Sequence, residues 1–354
     1  MKCLPSNKLH LAQGSILHDW HAEVVAVRAF NRFLLDQCLL ISTPPYPSSD
    51  FLRRLSNDEQ SGFEQQPFTI REHVQVHMYC SEAPCGDASM ELTMDAQEDA
   101  TPWTSVPPIV SSGDASTEDN TTALRGRSNF SLLGAVRCKP SRLDAPPTLS
   151  KSCTDKLALK QATSLLSSTT SALVSPRNAY LHSLILPASQ FVPSACSRAF
   201  SRAGRMHALT DATWKGGYRF QPFEVNSTER EFRFSRRTLA PHEKAMSSNL
   251  SAVWTPSWQE TLIGGVLQGR KQLDPRGASA ICRRSMWKTA VQIAGIAGVP
   301  MLVDMLDKER YRDLKRCEML DERRKVKDEA QRTGLSGWVK NLGDDTFTLS
   351  EPSK

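Results

Sequence analysis

The sequence predicts an α/β fold, and three observations carry that expectation. An amphipathic helix from about Ala22 to Leu40 presents Val24, Val25, Val27, Phe30, Phe33 and Leu34 along one side. A strand from Val74 to Tyr79 alternates Val74, Val76 and Met78 with Gln75 and His77, the period of a half-buried sheet. Beyond a proline-rich loop, a Ser-capped helix opens at Cys153 and a second strand runs over Tyr180–Leu186, so helices and strands alternate along the chain.

Composition bounds what such a fold can do. With 354 residues, 39% hydrophobic and 23% charged, the chain can bury one large core or two modest ones, enough for a catalytic domain. Nine cysteines, an odd and irregularly spaced set, follow a start (Met1-Lys2-Cys3-Leu4-Pro5) without an apolar leader. That pattern points to a reducing intracellular compartment, the cytoplasm or the nucleus. The longest apolar stretch, about Thr289 to Leu306, contains Gln292, Pro300 and Asp304 and reads as a buried helix, too short and polar to span a membrane. A formal charge of +6 and a pI near 8.8 suit a polyanionic partner.

The remaining elements follow from shifts in composition. Residues 1–90 read as ordered. Residues 92–124 carry Asp95, Glu98, Asp99, Asp114, Glu118 and Asp119 with no lysine or arginine, and are expected to form an acidic, disordered insert. Order resumes near Phe130, with a strand around Phe232–Arg236 and a charge-dense helix from about Asp307 to Lys327 closing the chain. No internal repeat or long heptad run is present.

Three short words carry chemistry. His21-Ala22-Glu23 sits in the first turn of the first helix, with Asp19 as the expected N-cap. Two side chains at i and i+2 diverge there, so a histidine can bind metal while a carboxylate approaches from the side. Alone, a His-x-Glu pair is a weak signal, and an ordinary helix start is its default reading. Pro84-Cys85 places a thiol at a strand-to-helix junction, where a helix N-terminus favours a thiolate. Short nucleoside and cytidine deaminases carry Pro-Cys-x-x-Cys at such a point, whereas position 88 here is alanine. Either the site is broken or another thiolate arrives from elsewhere, and Cys153, at the start of its own helix, is the candidate. Cys38, Cys80, Cys196 and Cys282 lie in apolar surroundings typical of buried free thiols; Cys3, Cys138 and Cys317 have no partner pattern.

Leu17-His-Asp-Trp-His-Ala-Glu-Val-Val25, Ser81-Glu-Ala-Pro-Cys-Gly-Asp-Ala88 and Leu149-Ser-Lys-Ser-Cys-Thr-Asp-Lys-Leu-Ala-Leu-Lys-Gln161 together resemble the adenosine deaminase (editase) domain. The segments 137–148, 178–187, 269–272 and 278–284 extend the resemblance, which is strongest to the tRNA-specific branch and its fungal members. It implies a three-layer α/β/α, cytidine-deaminase-like fold with an editase-type C-terminal extension. It also implies one zinc ion held by His21, Cys85 and Cys153, with Glu23 shuttling protons during hydrolysis of adenosine to inosine. For the tRNA branch the implied substrate is the adenosine 3′ of the anticodon, position 37, of alanine tRNA.

The basic residues admit two readings. By resemblance, Lys156, Arg283, Tyr311, Lys315, Lys325 and Trp338, with Arg28 from the first helix, stand where related domains hold a buried inositol hexakisphosphate; Lys160 and Asp321 depart from that pattern. By periodicity, Glu309, Asp313, Glu318 and Glu322 simply pair with the cations on a solvated face. Arg137, Lys139 and Arg142 flank the proline-rich loop before Cys153 and are candidates for RNA phosphate contacts, against the reading of an ordinary solvated loop. The chain starts at the Lys2-Cys3-Leu4-Pro5 word, where family members carry further strand sequence ahead of it. A missing N-terminal piece is therefore expected, with lowered stability and activity. The rival functional class is a catalytically impaired RNA-binding protein retaining the deaminase fold, and an intact Glu23 argues against it.

Overall fold

Three parallel strands form the sheet that positions the expected chemistry. The computed structural model describes residues 2–60, 62, 64–101, 109–111, 122–127, 129–140, 145–240, 243 and 248–350. Helix α1 (Ala22–Ser42) comes first, and strands β1 (Leu52–Arg54) and β2 (Phe68–Ile70) pair antiparallel against it. Next come β3 (Val76–Tyr79), the short helix α2 (Met90–Asp95), and strands β4 (Ile109–Ser111), β5 (Thr122–Arg125) and β6 (Arg137–Cys138). Helices α3 (Cys153–Thr163) and α4 (Ser168–Ser171) lead to β7 (Leu181–Pro187), then helix α5 (Pro193–Phe200) to β8 (Glu224–Thr228). A meander of β9 (Leu250–Thr255), β10 (Trp258–Ile263) and β11 (Val266–Leu267) precedes helices α6 (Arg283–Ala297), α7 (Pro300–Leu306), α8 (Tyr311–Lys315) and α9 (Asp321–Thr333).

The strand order β3-β7-β8 is parallel throughout, and parallel neighbours need crossovers, here supplied by α3 and α5. Met78, Leu184 and Val225 fall in register, so they share a face; that face buries Leu184 and Leu186 against Leu157 of α3 and Phe200 of α5, with Val27 and Phe30 of α1 packed alongside. The α/β class is as the sequence predicts. All three strands end at one edge, and the loops leaving a shared edge converge where ligands characteristically bind in open α/β sheets.

Helix α1 is buried on several sides. Leu34, Leu35, Cys38 and Ile41 join Trp287, Ala290 and Ile293 of α6, while Val25 and Ala29 join Leu262 and Val266 of the meander. None of the helices among the described residues is long and apolar enough to cross a membrane. The apolar stretch expected to be one buried helix is two: Gly298 ends α6 in the left-handed conformation (φ 65°) and Pro300 starts α7.

Other expectations need correction. Residues 232–236 form no strand. The third strand lies earlier, at β8, and Ser235 accepts a hydrogen bond from the Arg237 amide at 3.2 Å to start a short 3-10 turn. Both Phe232 and Phe234 stay exposed, so no packing favours pairing them into a sheet. The helix expected over 307–327 is broken into α8 and α9, because Arg324 reaches back to the carbonyls of Lys315 (2.8 Å) and Cys317 (2.9 Å) and satisfies the acceptors that a continuous helix would use. Asp19 is not the N-cap of α1. That position belongs to His21, whose side chain makes no cap bond, while Asp19 Oδ1 accepts from the His21 amide at 3.0 Å. Within the acidic segment 92–124, α2 continues to Asp95, β4 pairs with β5, and β5 runs parallel to β6; residues 102–108 and 112–121 lie outside the described residues.

Candidate active site

Each of the three words sits where local structure sets its direction. His21 and Glu23 occupy the N-terminal end of α1, and Cys85 follows β3 in the loop at the sheet edge. Cys153 is the first residue of α3, whose N-cap Ser152 accepts from the Asp155 amide at 3.0 Å. Contacts from α3 to the Cys85 loop bring the two cysteines together. The Thr154 hydroxyl donates towards the carbonyls of Pro84 (3.0 Å) and Cys85 (3.1 Å) and accepts from the Ala88 amide (3.2 Å). The Cys153 amide donates to Cys85 Sγ at 3.3 Å. Between them, Gly86 has φ +107°, and a Cβ there would lie 2.3 Å from Ser152 Oγ. Only glycine permits so close an approach of loop and helix.

The thiol pair is electrostatically uneven. A hydrogen bond from Cys153 holds the Cys85 thiol down to about 6 against the opposing effect of burial, and the nearby Lys139 ammonium helps. Burial and the Cys85 sulfur push Cys153 well above the usual thiol range. The pair therefore gives up its first proton readily. Glu23 is half-buried, and its negative charge acts on both thiols.

Behind the cysteines lies a buried polar network centred on Asp19, whose side chain is 4% exposed. Its Oδ1 lies 2.7 Å from His21 Nδ1, leaving Nε2 as the ring nitrogen available to a metal. Its Oδ2 accepts from Lys139 Nζ (2.8 Å), from the Ser150 hydroxyl (2.7 Å) and from Lys156. Burial would raise the Asp19 carboxyl, but Lys139, Lys156 and His21 hold it well below its ordinary value. Burial would likewise lower Lys139, yet Asp19 and the two thiols hold it well above; its Nζ also donates to Cys153 Sγ at 3.1 Å.

Two donor sets can be tested for a metal. Cys3, Asp19 and His21 place ligand atoms within 4.8 Å of one another. Asp19, however, is already neutralised by two lysines, and burial pushes the Cys3 thiol up to about 12, so neither offers an available anion. By donor chemistry His21 Nε2 with the Cys85 and Cys153 sulfurs is the better match, although among the described residues only the first set gathers its donor atoms within 4.8 Å of one another. Imidazole and thiolate are the donors that suit zinc, and three protein ligands leave a position for substrate water.

The residues expected around an inositol phosphate divide. Arg28 is held down to about 10 by burial and by Arg283, and its Nε has no partner among the described residues. Tyr311 is buried and stacks on Phe347 at 4.9 Å, and Trp338 lies 5.5 Å from Lys151 Nζ. Lys315 is 3.3 Å from Asp345, and Arg283 is 3.1 Å from Asp344. Lys156 turns to Asp19. Lys325 is a correction: its side chain is 70% exposed and pairs with Glu322 at 3.4 Å, because α9 buries the face that carries Arg323, Val326 and Ala330.

Sequence reasoning missed the cations that α9 and α3 do bring inward. Arg323 donates to the carbonyls of Thr163 (2.6 Å) and Leu166 (2.7 Å). Lys327 is exposed, and its ammonium is held down to about 8 by the protein packed around it and by the Lys315 and Arg323 charges. Lys160 is pushed well below its ordinary value by burial and by Arg323, Lys327 and Arg28. The i, i+4 spacing of Arg323 and Lys327 was the available signal.

The proposed phosphate contacts also need correction. Arg137 is 1% exposed, and its guanidinium donates to the carbonyls of Gly126 (3.3 Å), Asn129 (2.9 Å) and Leu132 (2.8 Å). Lys139 is buried in the Asp19 network. Both face inward because buried acceptors claim them, so neither reaches a phosphate. Arg142 lies outside the described residues.

This geometry agrees with the sequence comparisons. A family profile described as the adenosine-deaminase (editase) domain matches residues 1–342. The chain is similar to the tRNA-specific adenosine deaminase 1 of Schizosaccharomyces pombe, at 34% identity over 351 residues, which is 98% of this chain and 82% of that protein. To the protein of the same name from Saccharomyces cerevisiae it is 37% identical over 174 residues, 47% of this chain and 39% of the other. To the double-stranded RNA-specific editase Adar of Drosophila melanogaster it is 26% identical over 275 residues, 76% of this chain and 36% of that one.

Proposed function

We propose, from the premise that this chain belongs to the adenosine-deaminase (editase) domain family, that it hydrolyses adenosine to inosine in tRNA. The observation that carries the reading is the approach of Cys153 to Cys85 at the sheet edge, with Glu23 acting on both. His21, Cys85 and Cys153 would hold zinc. Bound there, zinc supplies the Lewis acidity that makes water a nucleophile near neutral pH. Glu23 takes a proton from the attacking water and delivers it to purine N1 as oxygen adds to C6; a second transfer lets the 6-amino group leave as ammonia. Asp19 orients the His21 ring, and Lys139 stabilises the thiolates. Water and adenosine become inosine and ammonia.

The names of the fungal relatives support tRNA as substrate, and we take position 37 of alanine tRNA as the target. A stacked base hides C6, so the adenosine must be extruded into the site, at a cost of a few kcal/mol that RNA contacts offset. Nine free thiols support a reducing compartment, cytoplasm or nucleus. The test is to incubate the purified chain with alanine tRNA and sequence for inosine; a well-folded, zinc-loaded protein that forms none would remove the reading.

Arg28, Lys160, Arg323, Lys327 and Lys315 lie close enough for their charges to act on one another, a cationic cluster that suits a polyanion, and inositol hexakisphosphate is the ligand we propose for it. Lys160 and Arg323 donate to backbone carbonyls and Lys315 to Asp345, so only part of this charge is neutralised by carboxylates within the protein. Denaturing the purified protein is expected to release about one inositol phosphate per chain. Protein freed of the anion should gain stability as pH rises from about 8 towards 10.5, because the unfolded chain binds more protons than the folded one across the Lys327 range. Added hexakisphosphate should raise the melting temperature at pH 7 and flatten that rise. Well-folded protein without organic phosphate would count against the assignment.

A further inference from the structure

The loop that follows β8, residues 229–238, projects two aromatic rings into solvent beside the site. Phe232 is 47% and Phe234 74% exposed, their ring centroids 5.6 Å apart at 71°. Two adjacent aromatic rings left in water are costly unless a partner covers them. Arg233 lies over Phe234, 5.6 Å from the ring centroid. Beside them Tyr79, Ile185 and Phe232 line a shallow groove of about 400 Å³, with Arg230, Glu231 and Arg233 at its rim.

This loop is tied to the segment that leads into Cys85. Arg237 donates to Glu82 Oε1 at 2.8 Å and to the Ser81 carbonyl, three and four residues before the cysteine. It also holds Glu231 at 3.0 Å, and Ser189 donates to the same carboxylate at 2.7 Å. Arg237 and Glu231 are thereby consumed in the clamp. Four arginines stand against two glutamates in 229–238, so with that pair removed Arg230, Arg233 and Arg236 face Glu229. Arg236 is 67% exposed and only 3.6 Å from Glu82.

Exposed aromatic rings interleaved with arginines are how proteins hold unpaired nucleotides. The rings stack on bases without regard to sequence, and the guanidinium groups meet phosphates. We propose that the 229–238 loop grips unpaired bases flanking the target adenosine, Phe232 and Phe234 stacking on bases and Arg230, Arg233 and Arg236 contacting the backbone. The proposal rests on the RNA substrate read above. An anticodon loop offers such bases, whereas a continuous duplex does not.

The test uses the full chain and two labelled RNAs, an anticodon stem-loop of alanine tRNA and a fully paired duplex of similar length. Phe232→Ala and Phe234→Ala should each weaken stem-loop binding roughly 5- to 100-fold while leaving the duplex nearly unaffected. Phe234→Trp should restore binding. Arg233→Gln should lower the salt dependence of log Kd by about one contact. Both rings are exposed, so zinc content and melting temperature should stay at wild-type values and exclude misfolding. Stem-loop affinities equal to wild type in both alanine variants would overturn the proposal. If those variants match wild type while the wild-type chain forms inosine in tRNA, the loop assignment fails and the deaminase reading stands. A wild-type chain that binds neither RNA removes the loop assignment, and one that also leaves tRNA free of inosine removes the substrate reading.

Discussion

Glu23→Gln is expected to lower inosine formation by about 10²- to 10⁴-fold, while the zinc content and melting temperature stay at wild-type values. The physical basis is that glutamine preserves the shape of the side chain at the start of α1 but can neither accept a proton from water nor return it to the purine. Glu23 is not one of the donor atoms assigned to the metal, so metal content separates this effect from loss of the site. Its charge also raises the Cys85 and Cys153 thiols, so the variant should if anything bind metal slightly better. Single-turnover deamination on alanine tRNA, run beside metal analysis, checks the result. Turnover equal to wild type would eliminate Glu23 as the proton carrier.

Asp19→Ala is the variant expected to damage the fold most. Asp19 is the common acceptor for Lys139, Lys156, the Ser150 hydroxyl and His21. Removing it strands the Lys139 ammonium, whose side chain is 5% exposed, and truncating one member of such a buried pair costs about 3–5 kcal/mol. His21 would also lose the partner that orients its ring, which weakens metal binding by about 10- to 100-fold at comparable sites. Denaturant unfolding and zinc titration measure the two effects separately. Combining Asp19→Asn with Lys139→Met should cost less than the two single changes added together, because the double variant no longer strands the deeply buried Lys139 ammonium. Strict additivity would show that the two side chains do not act as a pair.

How legible the molecule was depends on the range of each signal. Helix α1, the cap at Ser152 and the glycine-proline punctuation around residue 298 depend on near neighbours in sequence. Two of these were read correctly, and the third was overlooked although Gly298 and Pro300 mark it. The meander β9–β11 was missed despite its Gly264-Gly265 turn, where both residues have positive φ (64° and 83°), the conformation of a two-residue hairpin. The break between α8 and α9 has no such marker, since an arginine side chain caps it. In the loop before Cys153, Arg137 and Lys139 looked like surface cations. Their acceptors are the carbonyls of Gly126, Asn129 and Leu132 and the carboxylate of Asp19, 120 residues away in the second case, and nothing in the sequence announces them.

By itself the sequence determined the α/β class, the three words that supply imidazole, thiols and carboxylate, and the helix starts that orient two of them. These are set by residue chemistry and by hydrogen bonds spanning three or four positions. Tertiary structure alone decided that Cys153 meets Cys85 through Thr154, that Lys139 is buried against Asp19 and Cys153, that Arg323 turns inward where Lys325 does not, and that Phe232 and Phe234 stand exposed. A buried charge must find its counter-charge wherever the chain crosses, and an aromatic ring is covered only if another element arrives to cover it. Both outcomes depend on contacts between distant segments.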